Sequence, residues 1–503
     1  MTMLKTILFK PSVLAFGLFL LIHVSLFSFN VAEWGDSYRI LRAAEFIKQG
    51  TYPSDEKRPP LFAFILSLRP VEKLDPVLWG RGVVLILSLA SFLVFSQLIK
   101  EFVPDAKTQL FAKLLFMFNP VYLYWSIRVM SDVLFSLLVL LAFYLFYCHK
   151  KSFRPWALIL LGITCGLAIM TRFEGYILTA SISLGVLLVH KTKLLNTLLF
   201  GAALLVIWLP YVVFFNPFGS SYLQEPAGRS YGALMIWTYL ASFLYFLGIY
   251  SQGAILLSKA KDIKDLLIKH IPLSVFLVME LIIILLWPAA IPRLFVPIIP
   301  FFIILFVKFW DNEPRFFILH IFFFGFLLVS QYFLKLQFLV SDKIGFLLIL
   351  AIQAVIFAVS LVKFKRFDPR YLLVFSCLVW SFLIIKDHQN IFISVKNAGE
   401  YINENLSGNF VYNDVSSVSD WYINLLNPTP NRKGRYYNMD KSRYLEKSAL
   451  LDENIDYLVI TNEHNTSMEL DLSKRPYLEL IKEFRYNVKG AEFYTKIAKF
   501  NRD

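Results

Sequence analysis

The apolar residues of this chain fall into long, nearly charge-free blocks, and that arrangement limits the folds open to it more than any other feature. About 20 consecutive apolar residues span a bilayer as a helix. The blocks predict about 13 spans, near 11–30, 79–99, 108–126, 131–148, 156–171, 175–190, 196–215, 234–257, 271–287, 293–309, 315–334, 344–362 and 371–386. Only 17% of the 503 residues are charged, against roughly a quarter in a soluble domain. Such a surface would leave large apolar patches in water, so a soluble globular protein and a disordered chain are both excluded.

Charge then divides the chain. Residues 1–386 hold 35 Lys and Arg against 19 Asp and Glu, whereas residues 387–503 hold 15 against 17. The net charge of +14 thus belongs to the apolar part, much of it in short loops, which fits anionic lipid or a phosphorylated lipid rather than nucleic acid. Basic loops at His149–Lys151, His190–Lys193, 258–270 and Lys363–Arg370 place the N-terminus in the cytoplasm. Thirteen spans then put residues 387–503 outside. There, runs such as Asn409–Tyr412 and Asp456–Thr461 read as strands, and 395–406 and 441–453 as helices. The expected architecture is an all-α polytopic membrane domain over 1–386 with a small extracytoplasmic α/β domain over 387–503. The three cysteines lie in or beside apolar blocks.

The first outer loop, 31–78, departs from the charge rule, carrying Arg39, Arg42, Lys48, Lys57, Arg58, Arg69 and Lys73. Within it, 37–48 places Ile40, Ala44 and Ile47 on one helical face and reads as an amphipathic interfacial helix. Pro59–Leu68 is apolar but too short to span, and reads as a second interfacial helix. So basic an outer loop points to an anionic partner.

The chemistry-bearing candidates cluster at the outer ends of the spans. Asp36, beside Tyr38 in Glu33-Trp34-Gly35-Asp36-Ser37-Tyr38, reads either as a helix N-cap or as a general base at the membrane surface. Asp132, opening the fourth span, carries the same two readings. Arg172 and Glu174, in Thr171-Arg172-Phe173-Glu174-Gly175, read as an interfacial pair or as a cation aimed at a phosphate. Arg293 sits among Pro292, Pro297 and Pro300, at a rigid, broken helix entrance. Glu280 lies roughly 10 Å inside the ninth span, where an ionisable group marks a functional site by default or pairs with a residue such as Lys113. No nucleotide-binding glycine pattern or zinc-ligand spacing occurs.

Taken in order, these residues resemble the GT-C superfamily of integral-membrane glycosyltransferases, of the protein O-mannosyltransferase and aminoarabinose transferase type. The likeness rests on Gly35-Asp36-Ser37-Tyr38, Gly50-Thr51-Tyr52-Pro53, Arg58-Pro59-Pro60-Leu61, Asn119-Pro120, Ser131-Asp132-Val133-Leu134-Phe135, Thr171–Gly175 and Pro292–Pro300, and covers residues 1–310. It implies a polyprenyl-phosphate-linked sugar as donor and an acceptor protein, lipid or glycan. The expected roles are Asp36 as base and Arg58, Arg128, Arg172, Arg229 and Arg293 as cations for the donor phosphate. Asp132, Glu174, Tyr38 and Glu280 would support them. Many relatives have an acidic pair at the first-loop site. Here Ser37 follows Asp36, which leaves a divalent metal only weakly supported, and no other cofactor is indicated. Two other classes compete: a transporter or flippase for a lipid-linked precursor, favoured by Glu280, and a non-catalytic scaffold presenting the tail, which leaves the basic first loop unexplained.

Overall fold

The structure is a computed structural model that describes residues 11–188, 193–215, 217, 259–287, 292–310, 351, 355, 369–414, 417–436, 446–463, 472–488 and 491–502. The expected spans 234–257 and 315–334 lie outside these residues, as do Arg229 and all but Ala351 and Val355 of the span 344–362. The chain forms two compact units. One comprises 1–27, 57–65 and 81–384; the other comprises 28–56, 66–80 and 385–503. The division expected at residue 386 therefore changes in one respect: most of the first outer loop groups with the tail.

The first unit is helical. Among the described residues, three helices are long and apolar enough to cross a bilayer: Pro76–Glu101, Ser131–Ser152 and Leu194–Phe215. Shorter apolar helices cover Pro11–Leu26, Pro155–Ile169, Gly175–Leu188 and Ile299–Lys308. The helices Ala260–Lys269 and Ile271–Leu286 meet at a bend of 115°, beside Pro272, which has no backbone N–H to continue the ladder. The expected span 108–126 is in fact two helices, Ala106–Met117 and Pro120–Trp125. Asn119 restarts the chain by accepting from Val121 N at 3.1 Å and Tyr122 N at 2.9 Å, with Pro120 at the first helical turn.

Abundant phenylalanine fills this unit by ring packing. Phe19 stacks on Phe92 at 4.7 Å, and Phe95 on Phe116 at 4.6 Å. Small residues set one close helix pair. A Cβ on Gly162 would stand 2.4 Å from Phe200 O, and one on Gly166 would stand 2.7 Å from Ile207 Cβ. The spacing Gly162-x-x-x-Gly166 thus brings Pro155–Ile169 against Lys193–Phe215 by backbone approach, the usual device where lipid removes the hydrophobic drive between helices.

The second unit holds a five-stranded sheet: β1 (Gly408–Tyr412), β2 (Arg432–Tyr436), β3 (Tyr457–Thr461), β4 (Leu478–Val488) and β5 (Ala491–Phe500). The order is β2-β1-β3-β5-β4, with β1 parallel to β2 and β3, and β5 antiparallel to β3 and β4. Alternation within β1 supplies both faces. Phe410 and Tyr412 pack with Ala398 and Ile402 of the helix Ile393–Asn405, while Val411 packs with Leu450, Leu458 and Phe500. The expected strands at 409–412 and 456–461 are β1 and β3. The expected helix at 441–453 is shorter, Lys447–Asp452, and residues 441–445 lie outside the description.

The same unit contains the first-loop helix, Gly35–Lys48, which buries Tyr38, Ile40, Leu41, Ala43 and Ala44. Three of the loop's cations have acidic partners here. Arg42 pairs with Asp55 at 2.7 Å, Arg69 with Glu45 at 3.2 Å, and Lys48 with Glu45 at 3.6 Å. The loop is accordingly less positive toward a partner than its composition implies.

Candidate functional site

Within the first unit, one turn brings the conspicuous charges together. The helix Pro155–Ile169 ends as Arg172 N bonds Ala168 O, and the next helix begins at Gly175, whose N bonds Arg172 O at 3.0 Å. Arg172 is thereby held between two carboxylates. Its Nη1 donates to Asp132 Oδ1 at 2.5 Å, its Nε to Glu174 Oε1 at 3.1 Å, and its Nη2 to the same oxygen at 2.5 Å. The side chains of Arg172, Asp132 and Glu174 are 10%, 1% and 13% exposed. Burial would raise the Glu174 carboxyl, but Arg172, with a smaller part from Arg293, more than offsets it and holds it below the ordinary carboxylate range.

These groups line a narrow cleft of about 20 Å³ with Arg58, Pro59, Met130, Ser131, Thr171, Phe173 and Arg293. Three arginines and two carboxylates leave the cleft with net positive charge. Every nitrogen of Arg172 is committed to a carboxylate, and Arg58 and Arg293 add two further guanidinium groups to the lining. Asp132 Oδ2 is buried and has no hydrogen-bond partner among the described residues.

Several expectations resolve here. Asp132 does not cap its helix: the N-cap is Met130, without a side-chain bond, and Asp132 instead anchors Arg172. Asp36 likewise is not a cap. Trp34 occupies that position, and Asp36 lies in the first turn of Gly35–Lys48, where the helix N-terminus favours an anion. Arg128 is fully buried, with its guanidinium 5.2 Å from the Tyr124 ring centroid, and does not line the cleft. Glu280 is buried within electrostatic reach of Glu174 and Arg172. Lys113 is not its partner, since it donates to Ser12 Oγ at 2.9 Å. Arg229 lies outside the described residues. Among those residues, no group of three or more His, Cys, Asp or Glu is placed to hold a metal ion.

In the second unit, Asp36 and Tyr38 share the first-loop helix. Tyr38 is buried against Tyr422, with the two hydroxyls 3.3 Å apart. That contact, and the pairing of Arg42 with Asp420 at 3.5 Å, were not predicted. They join residues some 380 positions apart in sequence, which leaves no periodic or motif signal.

Comparisons with known proteins follow the same lines. Residues 57–214, which include Arg58, Asp132, Arg172 and Glu174, match the family model for dolichyl-phosphate-mannose-protein mannosyltransferase. No curated protein sequence matches the chain. Among solved structures, the fold is similar to that of ArnT from Cupriavidus metallidurans bound to undecaprenyl phosphate. That protein is 12% identical with a TM-score of 0.64, over 96% of this chain and 97% of that one. It is also similar to the oligosaccharyltransferase of Archaeoglobus fulgidus in the apo form, 12% identical with a TM-score of 0.51, over 96% of this chain and 74% of that one.

The chain therefore has the fold of the GT-C membrane glycosyltransferases. Over residues 57–214 its sequence also matches the dolichyl-phosphate-mannose-protein mannosyltransferase model, so the resemblance read from the motifs rests on both sequence and fold.

Proposed function

We propose that the protein is a membrane glycosyltransferase that moves a sugar from a polyprenyl-phosphate-linked donor to an acceptor on the outer face of the membrane. The observation that carries this reading is the cleft itself, where Arg58 and Arg293 accompany an arginine already neutralised by Asp132 and Glu174. A phosphate monoester is a weak base and leaves without strong acid assistance, so what the reaction needs is fixed positive charge where the leaving oxygen becomes anionic. Arg58 and Arg293 meet that need. The undecaprenyl phosphate bound in the structurally similar ArnT supports the same donor class.

An acceptor hydroxyl is a poor nucleophile and needs a base, a role assigned to Asp36. In the transfer, the acceptor oxygen forms its bond to the anomeric carbon as the bond from that carbon to the phosphate oxygen breaks. The bonding pair stays on the phosphate, the hydroxyl proton passes to the Asp36 carboxylate, and the anomeric centre inverts. The charge bias of the short loops supports an outer site, a cytoplasmic N-terminus and an extracytoplasmic tail. Glu280, the feature that favours a transporter, lies within reach of the Arg172 cluster and so belongs with the same group of charges.

The test is to give the purified full chain radiolabelled undecaprenyl-phosphate mannose and arabinose, with membranes as acceptor. Transfer of label with release of undecaprenyl phosphate is expected. Movement of the lipid across the bilayer without transfer would put a flippase in its place.

A further inference from the structure

The tail carries a side-chain network that the reaction as described does not use. At Trp421–Leu425 the backbone forms a single π-helical segment, a form that recurs at functional positions. Asp420, immediately before it, is a junction. Its Oδ1 accepts from Tyr412 Oη of β1 at 3.0 Å and from Asn424 Nδ2 at 2.6 Å, and its Oδ2 lies 3.5 Å from Arg42 Nε. Asn424 in turn holds β2 by accepting from Gly434 N at 2.7 Å and donating to Gly434 O at 2.9 Å.

Arg42 is also forked onto Asp55, at 2.7 and 2.9 Å, so its guanidinium is fixed from two sides. Two residues beyond Asp420, the Tyr422 hydroxyl meets that of Tyr38, which also accepts from Glu33 N at 3.3 Å. Gly399 lets the helix Ile393–Asn405 close over this point, because a Cβ there would stand 2.3 Å from Tyr422 Cβ.

Tyr38 and Arg42 are four residues apart, so they form one stripe of the first-loop helix, about one turn in length. Two attachments on one stripe fix both the rotation and the axial position of a helix. At roughly 100° per residue, Asp36 lies roughly 140° around from the middle of that stripe. The tail thus grips one side of the helix while Asp36 occupies nearly the other.

We propose that Asp420 and Tyr422 are positioning residues of the tail that clamp the first-loop helix and so set the direction of the Asp36 carboxylate. This rests on the reading of Asp36 as the base, and it makes the tail part of the catalytic apparatus. The clamp acts on proton removal and leaves donor binding untouched.

The experiment is hydrogen–deuterium exchange on the full chain in lipid nanodiscs, for wild type, Asp420→Asn, Tyr422→Phe and the conservative Asp420→Glu, alongside turnover and undecaprenyl phosphate binding. Tyr422→Phe removes only a hydroxyl and keeps the packing. In Asp420→Asn and Tyr422→Phe, peptides within 37–48 are expected to exchange about tenfold faster while β1 and β3 keep their protection. Turnover is expected to fall by about tenfold with undecaprenyl phosphate affinity unchanged, and Asp420→Glu to recover part of the loss. Wild-type protection of 37–48 in both variants would overturn the clamp, and so would protection lost evenly across the tail. Full transfer by Asp36→Asn would instead overturn the proposal through the base assignment, even with exchange in 37–48 raised.

Discussion

Replacing Arg172 by Gln separates a structural arginine from a phosphate ligand. The substitution strips the counter-charge from Asp132 and Glu174, which are 1% and 13% exposed, and leaves Glu280 close by as a third buried acid. Removing one partner of a buried ion pair costs about 3–5 kcal/mol. Expressed in the unfolding rate, 3 kcal/mol is about a hundredfold or slightly more. The loss should depend on pH. In the wild-type chain Glu174 has a depressed folded-state pKa, so its stabilisation is present above the unfolded value and is lost as pH falls through the folded one. In Arg172→Gln the offset to burial is gone, so Glu174 would instead hold its proton more tightly folded than unfolded, and stability falls as pH rises. The deficit is therefore largest near neutrality and smallest in acid. The assay is the unfolding rate of the purified full chain at one temperature, at pH 7.5 and pH 5. Asp132→Asn with Arg172→Gln and Glu174→Gln together should recover much of the loss. A change under about threefold at both pH values would refute the network's role in stability, because it would be far below the expected effect.

Other consequences follow from the same geometry. Arg58→Gln and Arg293→Gln should each weaken undecaprenyl phosphate binding by about tenfold or more, since both guanidinium groups line the cleft; isothermal titration of the detergent-solubilised chain measures this. In the tail, burial, opposed by hydrogen bonds from Phe392 N and Ser394 Oγ, raises the Glu463 carboxyl to about 7. A raised carboxyl destabilises the fold when ionised, so tail stability should decline as pH rises from about 4.5 through 7, and Glu463→Gln should flatten that slope in a thermal unfolding series. A tag placed after Asp503 should react with impermeant reagents only from outside the cell; labelling from the cytoplasm would reverse the span parity.

The sequence made the membrane character legible because bilayer insertion depends on local apolarity, and local runs are what a sequence displays most plainly. The strands at 409–412 and 456–461 were legible for a similar reason: both are buried on two faces and read as continuous apolar runs. The hairpin of β4 and β5 was not. Its half-exposed strands mix Glu479, Lys482, Glu483 and Arg485 with apolar residues, so neither a period of two nor a hydrophobic run stands out. Of the candidate site, Arg58, Asp132, Arg172, Glu174 and Arg293 were found because each stands out against apolar neighbours. Their division of labour was hidden, because only the folded turn at 171–174 shows that Arg172 is consumed by Asp132 and Glu174. Arg128 illustrates the converse. It has the same sequence context as the others, yet it lies fully buried against Tyr124. The break at Asn119 was masked by apolar residues on both sides, although Asn followed by Pro is a helix-start signal.

The most direct test of the account is sugar transfer by Asp36→Asn, measured beside undecaprenyl phosphate binding by the same preparation. The substitution keeps size and removes the base. Transfer should fall by about a hundredfold or more while binding of undecaprenyl phosphate stays at the wild-type level. Undiminished transfer by a folded, lipid-binding Asp36→Asn protein would contradict the assignment of the first-loop carboxylate as the group that activates the acceptor.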